Sequence, residues 1–323
     1  MARLQRFEEK NLAIRRRFEA LRREHPERLK RRIDLSYCTL MFGLENVVDS
    51  IKRLAKCGYK YIEILGNCAG DTCGNHTQLR QIRQAMEDYG VQCSGVCGQA
   101  QPGFCLESRD YFARQRAHDL IRRNVEFCAQ LGGTFYLLTP ASTGGVAPAD
   151  DGGDWARSVD ALRQIAHVFD EYGVRCAIEP ILRSITPIVH TVREAQQYIA
   201  QVDHPSVRYI NGDAEHMMGG EEHVGEAILQ AGKQMINFHL KDTHDARPIG
   251  RGMLDVDTII RALYLIGFNE PGHFASGEAQ PDYYEPVSAR YGLQIPHSAH
   301  VLDILARETI EYFREREAAV LEA

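Results

Sequence analysis

The feature that most restricts the fold of this chain is a period. Eight short apolar runs of β type recur, each followed by a stretch with helical spacing: residues 33–43 (IDLSYCTLMFG), 59–65 (YKYIEIL), 91–98 (VQCSGVCG), 134–140 (TFYLLTP), 174–180 (VRCAIEP), 207–213 (VRYINGD), 235–242 (MINFHLKD) and 272–278 (GHFASGE). Strands that are apolar along their whole length are buried on both faces, as parallel strands with helical crossovers are. Right-handed crossovers close eight such units into a ring. The expected fold class is therefore α/β, a (β/α)8 TIM barrel over residues 33–323, preceded by an N-terminal helical extension over residues 1–32. A doubly wound sheet would carry a glycine-rich phosphate turn after its first strand, and TLMFG is not one.

Glycines punctuate the units. Gly58 and Gly90 follow helical stretches where a C-terminal cap is expected, and 144–153 (GGVAPADDGG) reads as a loop after the fourth strand. In the extension, Leu4, Phe7, Ile14, Phe18 and Leu21 recur at helical steps, and His25-Pro26 ends the helix. Such a stripe needs a cover. Either it flanks or plugs the bottom of the barrel, or it docks on a second subunit; a homo-oligomer is expected.

A net charge of −6 and a pI near 6.1 argue against nucleic acid or an anionic membrane as partner. No apolar run reaches spanning length and the first residues are too charged for a signal peptide, so a cytoplasmic location is expected. Nine cysteines, an odd number without a CxxC pair, fit buried thiols in a reducing compartment. Cys68 and Cys73, within one glycine-rich stretch, are read as loop cysteines rather than soft-metal ligands.

The chemistry sits at the ends of the last four strands. Glu179, Asp213, His239 and Glu278 each stand at or near the C-terminal end of an apolar run, the end at which barrel enzymes build their sites. Three carboxylates and one imidazole form a hard donor set. It suits Mn²⁺, or Mg²⁺ or Co²⁺, with positions open for substrate oxygens, better than a closed tetrahedral zinc site.

On these residues the chain resembles the xylose-isomerase-like barrels, and within them the ketose 3-epimerases of the tagatose/psicose type. The motifs that carry the resemblance are AIEP with Glu179, GDAEH with Asp213 and His216, NFHLKD with His239, SGE with Glu278, and the glycine-rich turn and helix of residues 250–268. The resemblance implies one divalent metal held by Glu179, Asp213, His239 and Glu278. It also implies a metal-stabilised enediolate formed from a keto sugar by proton abstraction, with Glu179 and Glu278 as base and acid on opposite faces of the sugar. His216 and Arg183 match positions that contact the sugar or the glutamates. Arg247 is a looser match, and Glu63 and His76 are candidate ring contacts. Lys241 and Asp242 are read either as a structural ion pair or as substrate contacts.

Two departures stand out. The resembled epimerases carry a further glutamate six residues after the fifth-strand ligand, where this chain has Ile185. The segment 280–297 is long and holds Tyr283, Tyr284, Arg290 and Tyr291, residues suited to stacking on rings or meeting a partner. The alternative activity is a metal-dependent lyase subunit that cleaves 3-keto glycosides or C-glycosides after the same first step, a reading that the docking helix would suit through a second subunit. A barrel endonuclease would need further histidines where the third strand has Cys97 and Gln99, and a non-catalytic sugar-binding barrel would not need all four presumed ligands.

Overall fold

The computed structural model describes residues 2–66, 75–100, 103–143, 152–243, 246–285 and 296–322, with side chains from residue 6 onward. Cys68, Cys73, residues 144–151 of the glycine-rich stretch, Arg290 and Tyr291 lie outside them. The eight strands are β1 (Asp34–Tyr37), β2 (Tyr61–Leu65), β3 (Gln92–Gly98), β4 (Phe135–Leu138), β5 (Arg175–Ile178), β6 (Val207–Asp213), β7 (Met235–Leu240) and β8 (Phe274–Gly277). All pairs are parallel, in the order β1-β8-β7-β6-β5-β4-β3-β2. A parallel bridge between Cys38 and Glu63 brings the two end strands together, so the sheet is a nearly closed barrel.

Each expected strand is present, and all but β6 are shorter than their apolar runs. The first run shows why: after Tyr37 the chain turns into a 3-10 helix at Thr39–Phe42, whose Met41 and Phe42 are buried without belonging to a strand. Hydrophobicity reports burial, and this segment is buried without being extended.

The outer layer comprises α2 (Val47–Lys56), α3 (His76–Tyr89), α4 (Tyr111–Gln130), α5 (Asp154–Ile165), α6 (His167–Tyr172), α7 (Val192–Val202), α8 (Ala214–Gly220), α9 (Val224–Ala231), α10 (Val256–Leu265) and α11 (Ala299–Glu322). Local chemistry sets their ends. Asn46, Asn75, Asp110, Thr191 and Asp255 accept hydrogen bonds from first-turn amides, each worth about 1 kcal/mol. Gly90 closes α3 at φ 64°, where a side chain would be strained.

The N-terminal helix α1 (Ala2–Glu24) lies along α9 and α10. Ile14, Phe18 and Leu21 are buried there by the chain's own barrel, and Phe7 packs on the ring of His223 at 4.6 Å. The helix lies along the side of the barrel instead of its bottom, and of the two covers expected for the stripe the chain's own α9 and α10 supply the one over Ile14, Phe18 and Leu21, while Leu12 stays half exposed. Burying two such side chains contributes a few kcal/mol, about 1.5–3 each. Among the described residues no helix is long and apolar enough to cross a membrane. Among the described residues Cys38, Cys57, Cys93, Cys97, Cys105, Cys128 and Cys176 form no disulfide, and nearly all are buried.

Candidate metal and sugar site

Strand alternation brings the site together. On β6, Asn211 and Asp213 share the inward face, and on β7 Asn237 and His239 do so. The register pairs Asn211 with Asn237 and Asp213 with His239. Glu179 and Glu278 follow the last residues of β5 and β8, each with its backbone N–H still donating to the neighbouring strand, to Leu138 and Leu240. All four side chains are buried.

They converge on one nitrogen. His239 Nδ1 lies 3.6 Å from Glu179 Oε1, 3.7 Å from Asp213 Oδ2 and 3.1 Å from Glu278 Oε2. Donor atoms of Glu179, Asp213 and His239 stand within 4.8 Å of one another, a spacing one ion can bridge. His239 Nδ1 has no hydrogen-bond partner among the described residues, and Asp213 Oδ2 meets the Lys241 ammonium at 2.9 Å. A buried polar atom without a partner, facing three carboxylates, is costly unless something binds there. A hard divalent cation fits that donor set.

The remaining atoms of these side chains are fixed from behind. His239 Nε2 lies 3.1 Å from both Glu63 oxygens, Asn237 donates to Glu63 Oε2 at 3.0 Å and to Asn211 Oδ1 at 2.8 Å, and Asn211 donates to Glu179 Oε1 at 2.8 Å. This carboxylate-amide chain orients the imidazole and one glutamate, as outer partners of metal ligands commonly do. Asp213 is divided between two tasks: Oδ1 accepts from the His216 N–H at 2.9 Å and caps α8, leaving Oδ2 to the site.

The charges act on one another. Burial pushes Glu179 up to about 8, and the neighbouring Glu278 and Asp213 add to the rise against the pull of His239 and Lys241. Burial works to raise Asp213 too, but His216, Lys241 and His239 overcome it and hold its carboxyl well below the usual range. Glu278 is likewise held low by His239 and Lys241 against its burial. Burial lowers His216 to about 4, so its imidazole is neutral at pH 7 despite Asp213.

Above the four residues opens a cavity of about 620 Å³, lined by Glu179, Glu278, His216, Lys241 and Glu215, by Gln99 and Gln280, and by an apolar arc of Leu40, Met41, Ile181, Leu182 and Ile185. The loop that carries Ile181, Leu182 and Ile185 is pinned by Val189, held at φ 61° and buried, whose carbonyl accepts the Ile181 N–H at 3.0 Å. A β-branched residue in the left-handed region costs about 1–2 kcal/mol, so the surrounding structure enforces the loop's path.

Several expected contacts fall elsewhere. Glu63 does not face a sugar: it is fully buried beneath His239, because β2 places it one layer below the mouth. Arg183 donates to Glu194 at 2.9 Å, with its side chain 69 % exposed, and does not line the cavity. Arg247 lies over the Tyr283 ring, 5.7 Å from its centroid, outside the lining. His76 opens α3 and is exposed. Lys241 and Asp242 form no pair: Lys241 points into the site, whereas Asp242 accepts backbone N–H groups of Thr243, Gly250, Met253 and Leu254 and shapes the next loop. His216 does line the cavity. Sequence reasoning does not single out Asn211 or Asn237, although each is a polar residue two positions before a candidate donor, Asp213 or His239.

The model of the xylose isomerase-like TIM barrel family matches residues 51–285. The chain belongs to that family. Similar relatives include the D-psicose 3-epimerase of Ruminiclostridium cellulolyticum, 27% identical over 223 residues, covering 68% of this chain and 74% of the relative. The 3-dehydro-D-guloside 4-epimerase of Escherichia coli is 25% identical over 232 residues, covering 69% and 84%. Among solved structures of the family's fold, D-psicose 3-epimerase with D-tagatose from Clostridium cellulolyticum matches with a TM-score of 0.74 at 21% identity, over 88% of this chain and 99% of that one. Apo 3-keto-D-glucoside 4-epimerase from Escherichia coli matches with a TM-score of 0.71 at 19% identity, over 88% and 100%.

Proposed function

We propose that this chain is a divalent-metal-dependent sugar epimerase that acts on a keto sugar by moving a proton at the carbon beside the carbonyl. The observation that carries the proposal is the convergence of Glu179, Asp213, His239 and Glu278 on one buried point at the open end of a barrel, with His239 Nδ1 facing all three carboxylates. These four residues would hold the cation, Mn²⁺ by the hardness of the set. When bound, the cation supplies Lewis-acid polarisation of the substrate carbonyl, which acidifies the adjacent C–H. Its identity as an epimerase rests on the relatives, which are named as epimerases of free ketoses and of keto-glycosides.

The chain's own groups supply the proton transfers. Glu179 and Glu278 come from strands on either side of β6 and β7, and both line the cavity. In the ion-free protein one has its proton affinity raised to about 8 and the other lowered, the asymmetry an acid and a base need. Ligation adds positive charge and shifts both toward the carboxylate form, so the one that takes the proton is the one that faces the scissile C–H. The neutral His216, with Nδ1 lacking a partner among the described residues, together with Gln99 and Gln280, offers donors and acceptors to sugar hydroxyls.

A second reading is favoured by the apolar arc. Leu40, Met41, Ile181, Leu182 and Ile185 form a wall that a free ketose would leave in water, whereas a glycoside would cover it with its aglycone. The same first proton abstraction would then serve epimerisation beside the keto group or elimination of the aglycone. Incubation with Mn²⁺ in D2O separates the outcomes. Deuterium entering an epimerised ketose or keto-glycoside supports the epimerase; release of the aglycone without an epimer supports the lyase. Absence of exchange into either substrate contradicts both.

A further inference from the structure

Lys241 stands two residues beyond His239, on the same inward face and one layer nearer the mouth. Its side chain is buried. Nζ donates to Glu278 Oε2 at 2.7 Å, lies 2.9 Å from Asp213 Oδ2 and 4.0 Å from Glu215 Oε2. Glu278 Oε2 and Asp213 Oδ2 are the same two oxygens that face His239 Nδ1. The ammonium therefore draws on two of the oxygens a bound cation would use. Two cations sharing one pair of oxygens repel, and burial strengthens the repulsion.

Without such a charge, Glu179, Asp213 and Glu278 would converge in the ion-free protein with only His239 to offset them, and like charges gathered out of water are costly. Glu215 offers the ammonium a second partner. It lies in the first turn of α8, half-buried, with Oε1 tied to the Ala246 N–H at 3.2 Å and Oε2 turned toward Lys241.

We propose that Lys241 is a built-in counter-cation. It is a positioning residue that holds Asp213 and Glu278 together in the ion-free protein, and it yields their oxygens by moving toward Glu215 when a divalent cation binds. The proposal rests on the metal reading of the site. It makes ion binding an exchange of one cation for another, so Lys241 weakens the affinity while keeping the site assembled.

The test is calorimetric Mn²⁺ titration of the wild type, K241M and K241R, with thermal unfolding in the presence and absence of Mn²⁺. K241M keeps the length of the side chain and removes its charge. It is expected to bind Mn²⁺ at least about tenfold more tightly, to unfold at a lower temperature than the wild type without the ion, and to show a larger rise on adding it. K241R keeps the charge and stays close to the wild type. Affinity in K241M equal to or weaker than wild type overturns the proposal, as does a K241R that binds as tightly as K241M. Should K241M fold only with Mn²⁺ present, release of the bound ion to a chelator makes the comparison: slower release than wild type supports the proposal, and equal or faster release overturns it. A wild type that binds no divalent ion overturns the metal reading itself, an outcome distinct from either.

Discussion

The two halves of the barrel are built from different material. Strands β5 to β8 each bring a carboxylate or imidazole to the mouth, and β6, β7 and β8 carry Asn211, Asn237 and Ser276 one layer below, whereas β1, β3 and β4 turn Cys38, Cys97 and Leu137 toward the axis. Among these early strands β2 is the exception, since Glu63 reaches across the interior to His239. The difference teaches that reactive charge is concentrated in one half, and that the other contributes one buried carboxylate for orientation and an apolar filling that keeps water out of the floor. Electrostatic interactions strengthen in such surroundings.

The sharpest way to break this contrast is to neutralise the reactive half at its acids. Glu179→Gln or Glu278→Gln is expected to lower kcat by about 10²–10⁴-fold, the span for losing a positioned acid or base, with far-UV circular dichroism unchanged; either variant retaining kcat would remove that residue from the proton transfer. A smaller effect is expected from the one early-strand residue that reaches the site. Glu63→Gln leaves the four ligands intact but loosens the imidazole, and Mn²⁺ affinity should fall about 10–100-fold, as for outer partners of metal ligands. Unchanged affinity by titration would reduce Glu63 to core filling.

Solution pH sharpens the contrast further. Because the proton on Glu179 is held up to about pH 8 in the ion-free protein, Mn²⁺ must displace it below that pH. Apparent affinity should rise as pH increases from 6 toward 8, with proton release on binding detectable in buffers of different ionisation heat. Affinity independent of pH over that interval would place the proton elsewhere. The smallest effect belongs to the apolar half: Cys97→Ala should cost about 1–2 kcal/mol of stability and leave kcat and metal content as they are. A loss of metal from that variant would extend the site into the half assigned here to packing.

Much of this was legible in the chain because the period of apolar runs and the placement of one donor at each of four run ends are local signals. The eight units, the parallel sheet and the convergence of Glu179, Asp213, His239 and Glu278 follow from strand direction and the two-residue alternation. What sequence does not carry is depth. Glu63 has the look of a mouth residue because it lies near the end of its run, yet the stagger of β2 against its neighbours sets it below His239. Arg183 sits four residues after Glu179, but its loop is pinned by Val189 and turns the guanidinium to Glu194. The stripe of α1 announced that a cover was needed without saying which surface supplies it, and the answer, α9 and α10, depends on tertiary packing.

The account stands on four side chains holding one cation, and stoichiometric Mn²⁺ titration of the ion-stripped wild type beside Asp213→Asn tests it most directly. Asp213 is the choice because its second oxygen is aimed at the site while its first caps a helix, and asparagine preserves the cap. One ion per chain in the wild type, with binding weakened by at least about tenfold in Asp213→Asn, is the predicted result. No saturable binding in the wild type, or an Asp213→Asn variant that binds equally well, would contradict it.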